Sequence, residues 1–146
     1  MEKRLLNVSN KYLANVGVSY IKLHNLHWNV VGLNFKAVHE YLEWIYDSMA
    51  EVLDEVAELI KMNGGYPLAS LKEYLAVASI EELESKDYKI LESLDILLKD
   101  LKVLREEVLE IRSIADELDN VAFVNMAEDH LANYNKQIWF VESMLK

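Results

Sequence analysis

The 146-residue chain contains no cysteine, one proline and four glycines. The missing thiols exclude disulfides, thiolate metal sites and cysteine nucleophiles together. Scarce proline and glycine leave few helix breakers, and with 52% apolar residues the chain is expected to be mostly helical. No apolar run approaches the 18 or more residues of a membrane span, so no membrane partner is expected. The start, Met1-Glu2-Lys3-Arg4-Leu5-Leu6-Asn7, has no signal-peptide core, which makes a cytoplasmic location the expectation. Positive charge is also scarce. With 25 acidic against 15 basic residues, the formal charge is −10, which favours cations as ligands and disfavours polyanions such as DNA. The densest basic cluster is Lys3-Arg4 with Lys11 beyond, too little to track a phosphate backbone.

What the chain does carry is long helical periodicity. One helix is predicted from Ser9 or Asn10, as N-cap, to Val31, stopped by Gly32. Leu13, Val16, Tyr20, Leu23, His27 and Val31 form its apolar stripe. Gly17 inside it suggests close approach of a neighbouring helix. A second helix is predicted from Asn34 to the Gly64-Gly65-Tyr66-Pro67 stop. Phe35, Val38, Leu42, Ile45, Met49, Val52, Val56 and Ile60 make its apolar arc, while His39, Glu43, Asp47, Asp54 and Glu58 share another face. Residues 69–76 read as a short helix in a long crossover. A third long helix is predicted from Ser85 to Leu118, and a fourth from Asn120 to Met144. Four long helices with one extended crossover define an all-α, ferritin-like four-helix bundle, expected as one domain over residues 1–146.

The candidate site combines His27 in His27-Trp28-Asn29-Val30, His39 twelve residues later, and Asp54 and Glu58. Imidazoles with carboxylates suit a transition metal, iron foremost. On the acidic helix alone, Asp54 and Glu58 fit a solvated face equally well, and a histidine on an apolar stripe can simply be a packed one. The spacing adds a constraint. His39 and Asp54 lie 15 residues apart on one uninterrupted helix, ~22 Å at 1.5 Å per residue. One metal centre cannot be reached by both from the same chain, so a shared site needs two copies. An internal di-iron or di-manganese centre would use Glu-x-x-His pairs, and the sequence has none. Glu128-Asp129-His130 puts its end residues on different faces. His130, with no acid three or four residues away, is given no role, and His24 reads as a hydrogen-bonded packing residue, with an additional ligand or a base supporting the site as the alternatives.

His27-Trp28-Asn29-Val30-Val31-Gly32-Leu33-Asn34-Phe35, His39-Glu40, Asp54-Glu55-Val56-Ala57-Glu58 and Gly64-Gly65-Tyr66-Pro67 strongly resemble the Dps family of mini-ferritins. The crossover segment and Lys136-Gln137-Ile138-Trp139-Phe140 extend the likeness over nearly the whole chain. The resemblance implies a hollow homododecamer that oxidises Fe²⁺ with hydrogen peroxide or oxygen and stores ferric mineral, protecting against oxidative stress. It implies a ferroxidase site at a two-fold dimer interface, with His27 and His39 from one subunit and Asp54 and Glu58 from the other. Glu43 stands where the family usually has aspartate, a further candidate ligand. Many members bind DNA through a lysine-rich N-terminal extension that is not seen here, so nucleoid compaction with secondary iron binding is the alternative. Asn125 stands where a pore aspartate would align, leaving Asp116, Glu117, Asp119, Glu128 and Asp129 as candidates for iron uptake.

Overall fold

The structure is a computed structural model that describes residues 1–146. The first helix, α1, runs Lys3–Asn29, with its N-cap at Glu2, seven or eight residues before the Ser9 or Asn10 that the sequence suggests. The Glu2 carboxylate caps it by accepting from the Leu5 N–H at 2.8 Å, which makes an N-cap at Ser9 or Asn10 unnecessary. Asn10 instead clamps the crossover, accepting from Leu68 N–H at 2.9 Å and donating to the Tyr66 carbonyl at 3.2 Å.

After α1 the chain turns sharply. Val30–Val31 forms a two-residue strand, β1, and pairs in parallel with β2, Tyr88–Lys89. Gly32 at φ 127° and Asn34 at φ 66° make the reversal, both in backbone conformations that β-branched residues avoid. The second helix, α2, then runs Phe35–Met62 antiparallel to α1. Asn34 holds the N-cap position but makes no side-chain cap bond. A short helix, α3, spans Leu71–Val77 in the crossover. It begins with a reciprocal box, in which Ser70 Oγ accepts from Glu73 N–H and the Glu73 carboxylate accepts from Ser70 Oγ–H and Ala69 N–H.

The next helix, α4, covers Ile90–Glu117, so the expected start at Ser85 is corrected. Residues before it are committed to the pairing of Tyr88 with Val30, both buried, and a helix from Ser85 would break that pairing. The last helix, α5, covers Val121–Met144 and is capped by Asn120, which accepts from Phe123 N–H at 3.3 Å.

The core lies among the four long helices, with Leu13, Val16, Leu42, Ile45, Leu101 and Phe123 all fully buried. Val31 and Phe35, expected on apolar stripes, are exposed where the chain passes from α1 to α2. Gly17 has a specific reason to be glycine. A Cβ there would stand 2.6 Å from a ring carbon of Tyr74 on α3, so the absent side chain lets the crossover helix lie against α1. Lys22 on α1 and Asp100 on α4 form a buried ion pair at 2.8 Å. No helix is long and apolar enough to cross a membrane.

Candidate metal centre

The α1–α2 hairpin brings two of the four candidate ligands into contact. His27, near the end of α1, and His39, one turn into α2, stack with ring centroids 3.7 Å apart and planes 13° from parallel. Each ring is locked by the other's backbone. His27 Nδ1 donates to the His39 carbonyl and His39 Nδ1 donates to the His27 carbonyl, both at 2.7 Å. A carbonyl can only accept, so both Nδ1 atoms carry the proton. The neutral rings are therefore left with their lone pairs on Nε2, the tautomer a metal-binding imidazole requires. Phe35 stacks on His39 at 5.0 Å, and Tyr46 packs edge-on against His27 at 5.3 Å. These contacts hold the pair from both sides.

His24 donates from Nδ1 to the Tyr20 carbonyl at 2.7 Å and stacks on Tyr46 at 3.8 Å, a packed role like the one expected. Trp28 is 68% exposed, close to His24 at 5.5 Å, and so lies on the outside of the hairpin rather than in the core. Glu43 is exposed one turn beyond His39 and accepts from the Tyr46 hydroxyl at 3.2 Å.

Asp54 and Glu58 are exposed further along α2, and no cation pairs with either. They are not brought to the histidines. Within one chain, no three histidine or carboxylate side chains converge to hold a metal. The histidine pair thus offers two imidazole Nε2 donors, and the two carboxylates lie exposed further along α2.

One group that the sequence left without a role is fully engaged. His130 is buried on α5, and its Nε2 lies 2.8 Å from a carboxylate oxygen of Glu55 on α2. Its Nδ1 lies 3.0 Å from the Tyr12 hydroxyl, which in turn lies 2.6 Å from the Tyr134 hydroxyl. The acidic partner is 75 residues away, so no local spacing could find it.

A ferritin-like domain family model matches residues 9–146. The antigen TpF1 of Treponema pallidum is 35% identical over 136 residues, 93% of this chain and 77% of that protein. Its crystal structure superposes with a TM-score of 0.95 at 34% identity, covering 97% and 91% of the two chains. The crystal structure of a Dps protein from Bacillus brevis gives 0.93 at 33% identity, with both chains fully covered. That of Dps from Vibrio cholerae O1, described as a member of a broad superfamily of ferritin-like diiron-carboxylate proteins, gives 0.94 at 28% identity over 99% and 90% of the chains. The fold and the histidine hairpin define a ferritin-like protein. Within that class, the chain belongs to the Dps family, whose general role is iron storage and protection.

Proposed function

We propose that this protein is a cytoplasmic ferroxidase that takes Fe²⁺ as substrate at a site shared by two subunits. His27 and His39 bind from one chain, and the partner subunit's Asp54 and Glu58 complete the donor set, with Glu43 at its edge. The observation that carries this reading is the stacked histidine pair, whose reciprocal Nδ1 bonds leave both Nε2 lone pairs uncommitted. Such a pair is half of a coordination sphere. The exposed, unpaired carboxylates of α2 are the chemically matching half, and the ~22 Å rise between His39 and Asp54 keeps the halves apart in one chain.

Neutral imidazoles suit Fe²⁺, while carboxylates add the negative charge that favours Fe³⁺. Hydrogen peroxide needs two electrons to become two waters. Two Fe²⁺ supply them and two protons balance the charge, so no hydroxyl radical leaves the site. Oxygen is the slower alternative oxidant. Ferric product collects as mineral inside a closed shell of twelve subunits, the kind of point-group assembly in which such interfaces close.

Anaerobic Fe²⁺ titration followed by peroxide tests the whole reading. Saturable binding, then ferric absorbance at one peroxide per two Fe²⁺, is the expected result, with light scattering reporting a particle of twelve subunits. A stable monomer that binds no Fe²⁺ would refute it. We assign these residues no DNA-binding role, because a formal charge of −10 repels a polyanion. A plasmid mobility shift at pH 7.5 and ~100 mM salt, with chelator present to prevent cation bridging, is expected to show free DNA; retarded plasmid would reveal a basic patch formed on assembly.

A further inference from the structure

With His130 neutral, the direction of every proton in the buried Tyr134–Tyr12–His130–Glu55 chain follows from its exposed end. The Glu55 carboxylate only accepts, so His130 Nε2 must carry a proton and donate to it at 2.8 Å. His130 Nδ1 is then the bare nitrogen and accepts from the Tyr12 hydroxyl at 3.0 Å. Having given its only proton to His130, the Tyr12 oxygen accepts from Tyr134 at 2.6 Å. Three donors point the same way, from the protein centre towards α2. Both phenols are essentially inaccessible, and burial pushes both far above the ordinary tyrosine range, so at rest they keep their protons.

A buried phenol aimed at the bare nitrogen of a carboxylate-oriented imidazole is arranged as an acid–base pair. Glu55, where the chain surfaces, follows Asp54 directly and stands one turn before Glu58.

We propose that Tyr12 is a one-electron donor to the neighbouring iron site, with His130 as the base that receives its proton. This rests on the ferroxidase reading above. When peroxide meets a site holding a single Fe²⁺, the iron supplies one electron and Tyr12 the second. The Tyr12 O–H bond breaks, its proton passes to His130 Nδ1, and the ring is left as a neutral phenoxyl radical. Peroxide, Fe²⁺, the phenol, neutral His130 and two protons from solvent thus give two waters, Fe³⁺, the phenoxyl and protonated His130. A later Fe²⁺ returns the electron, becoming Fe³⁺, and His130 returns the proton. Tyr134 stabilises the radical by donating to its oxygen. A half-filled site would then reduce peroxide fully rather than release hydroxyl radical.

Freeze-quench high-field electron paramagnetic resonance, with one Fe²⁺ per site and excess peroxide, reads this directly. The wild type is expected to show a phenoxyl whose low gx marks a hydrogen-bonded oxygen. Tyr12→Phe should abolish that component, whereas Tyr66→Phe, at an exposed surface ring, should retain it. His130→Gln should slow its formation ~10²-fold, the usual contribution of a positioned base. Tyr134→Phe, a milder change should Tyr12→Phe not fold, should raise gx by removing one hydrogen bond. A second arm omits iron and withdraws electrons with light, ruthenium(II) tris-bipyridyl and persulfate, and the same residue dependence is expected. If the wild type fails to oxidise iron, the ferroxidase reading falls and this arm alone decides the relay. Absence of the hydrogen-bonded phenoxyl from both arms, or its persistence in Tyr12→Phe, would overturn the proposal.

Discussion

Co-refolded mixtures of His27→Ala and Asp54→Ala chains are expected to recover iron oxidation that neither variant shows alone. His27→Ala removes one of the two aligned Nε2 donors and the ring that stacks on His39 at 3.7 Å. Asp54→Ala removes a carboxylate that lies exposed on α2, away from those rings. If each two-fold interface holds two symmetric sites, a mixed dimer has one intact site and one doubly defective site. Random pairing makes half of the dimers mixed, so about a quarter of the wild-type sites should return. Stopped-flow ferric absorbance on assemblies shown by mass spectrometry to be mixed measures this. No recovery in such assemblies would mean that His27 and Asp54 serve one intrachain centre, against the spacing. Far-ultraviolet circular dichroism should stay helical in both variants, because neither side chain belongs to the apolar core.

That a partner is needed could be read from spacing, because helical rise is a property of the backbone and does not depend on packing. The four helices and the short crossover helix were legible for a related reason: apolar periodicity is local, and few glycines or prolines interrupt it. Errors arose where a distant residue decides a local matter. The start of α4 is set by the pairing of Tyr88 with Val30, 58 positions apart and invisible to a window of neighbours. The true cap of α1 is a glutamate, a less usual capping residue than Ser9 or Asn10. At the site, sequence identified the histidines but not their mutual bonds, which need the α1–α2 reversal through Gly32 and Asn34. His130 was missed because Tyr12 comes from α1 and Glu55 from α2. Buried polar contacts between helices have no fixed sequence offset, unlike a cap or an amphipathic stripe.

Another such contact makes Glu107 the carboxylate whose neutralisation should stabilise this protein most. Glu107 on α4 is 7% exposed. One oxygen accepts from the Asn15 amide at 2.6 Å, while the other is buried without a partner. Burial pushes its pKa up to about 7; the Asn15 hydrogen bond and the Lys11 charge pull downward without offsetting that, and Glu110 adds to the rise. Between pH ~4.5 and ~7 the folded chain therefore holds a proton that the unfolded chain has released. Stability falls as pH rises through that window, and the full penalty is present above it. Glu107→Gln keeps an oxygen for Asn15 and removes the charge. Its own amide N–H₂ inherits the unpartnered position, which takes back part of the gain. The variant is expected to be more stable than the wild type by on the order of 2 kcal/mol at pH 8, and by little or nothing at pH 4.5. Asn15 makes the consequence reach further than one side chain, because its carbonyl also accepts from the Ser79 and Ile80 N–H groups at 2.9 Å and so anchors the crossover to α1. Urea unfolding of both proteins at matched subunit concentration, at pH 4.5 and pH 8, measures the difference without confusing it with assembly. A Glu107→Gln protein less stable than wild type at pH 8, or a gap that does not widen between the two pH values, would show that the buried carboxylate is held ionised in the native state by the Lys11 charge and the Asn15 bond.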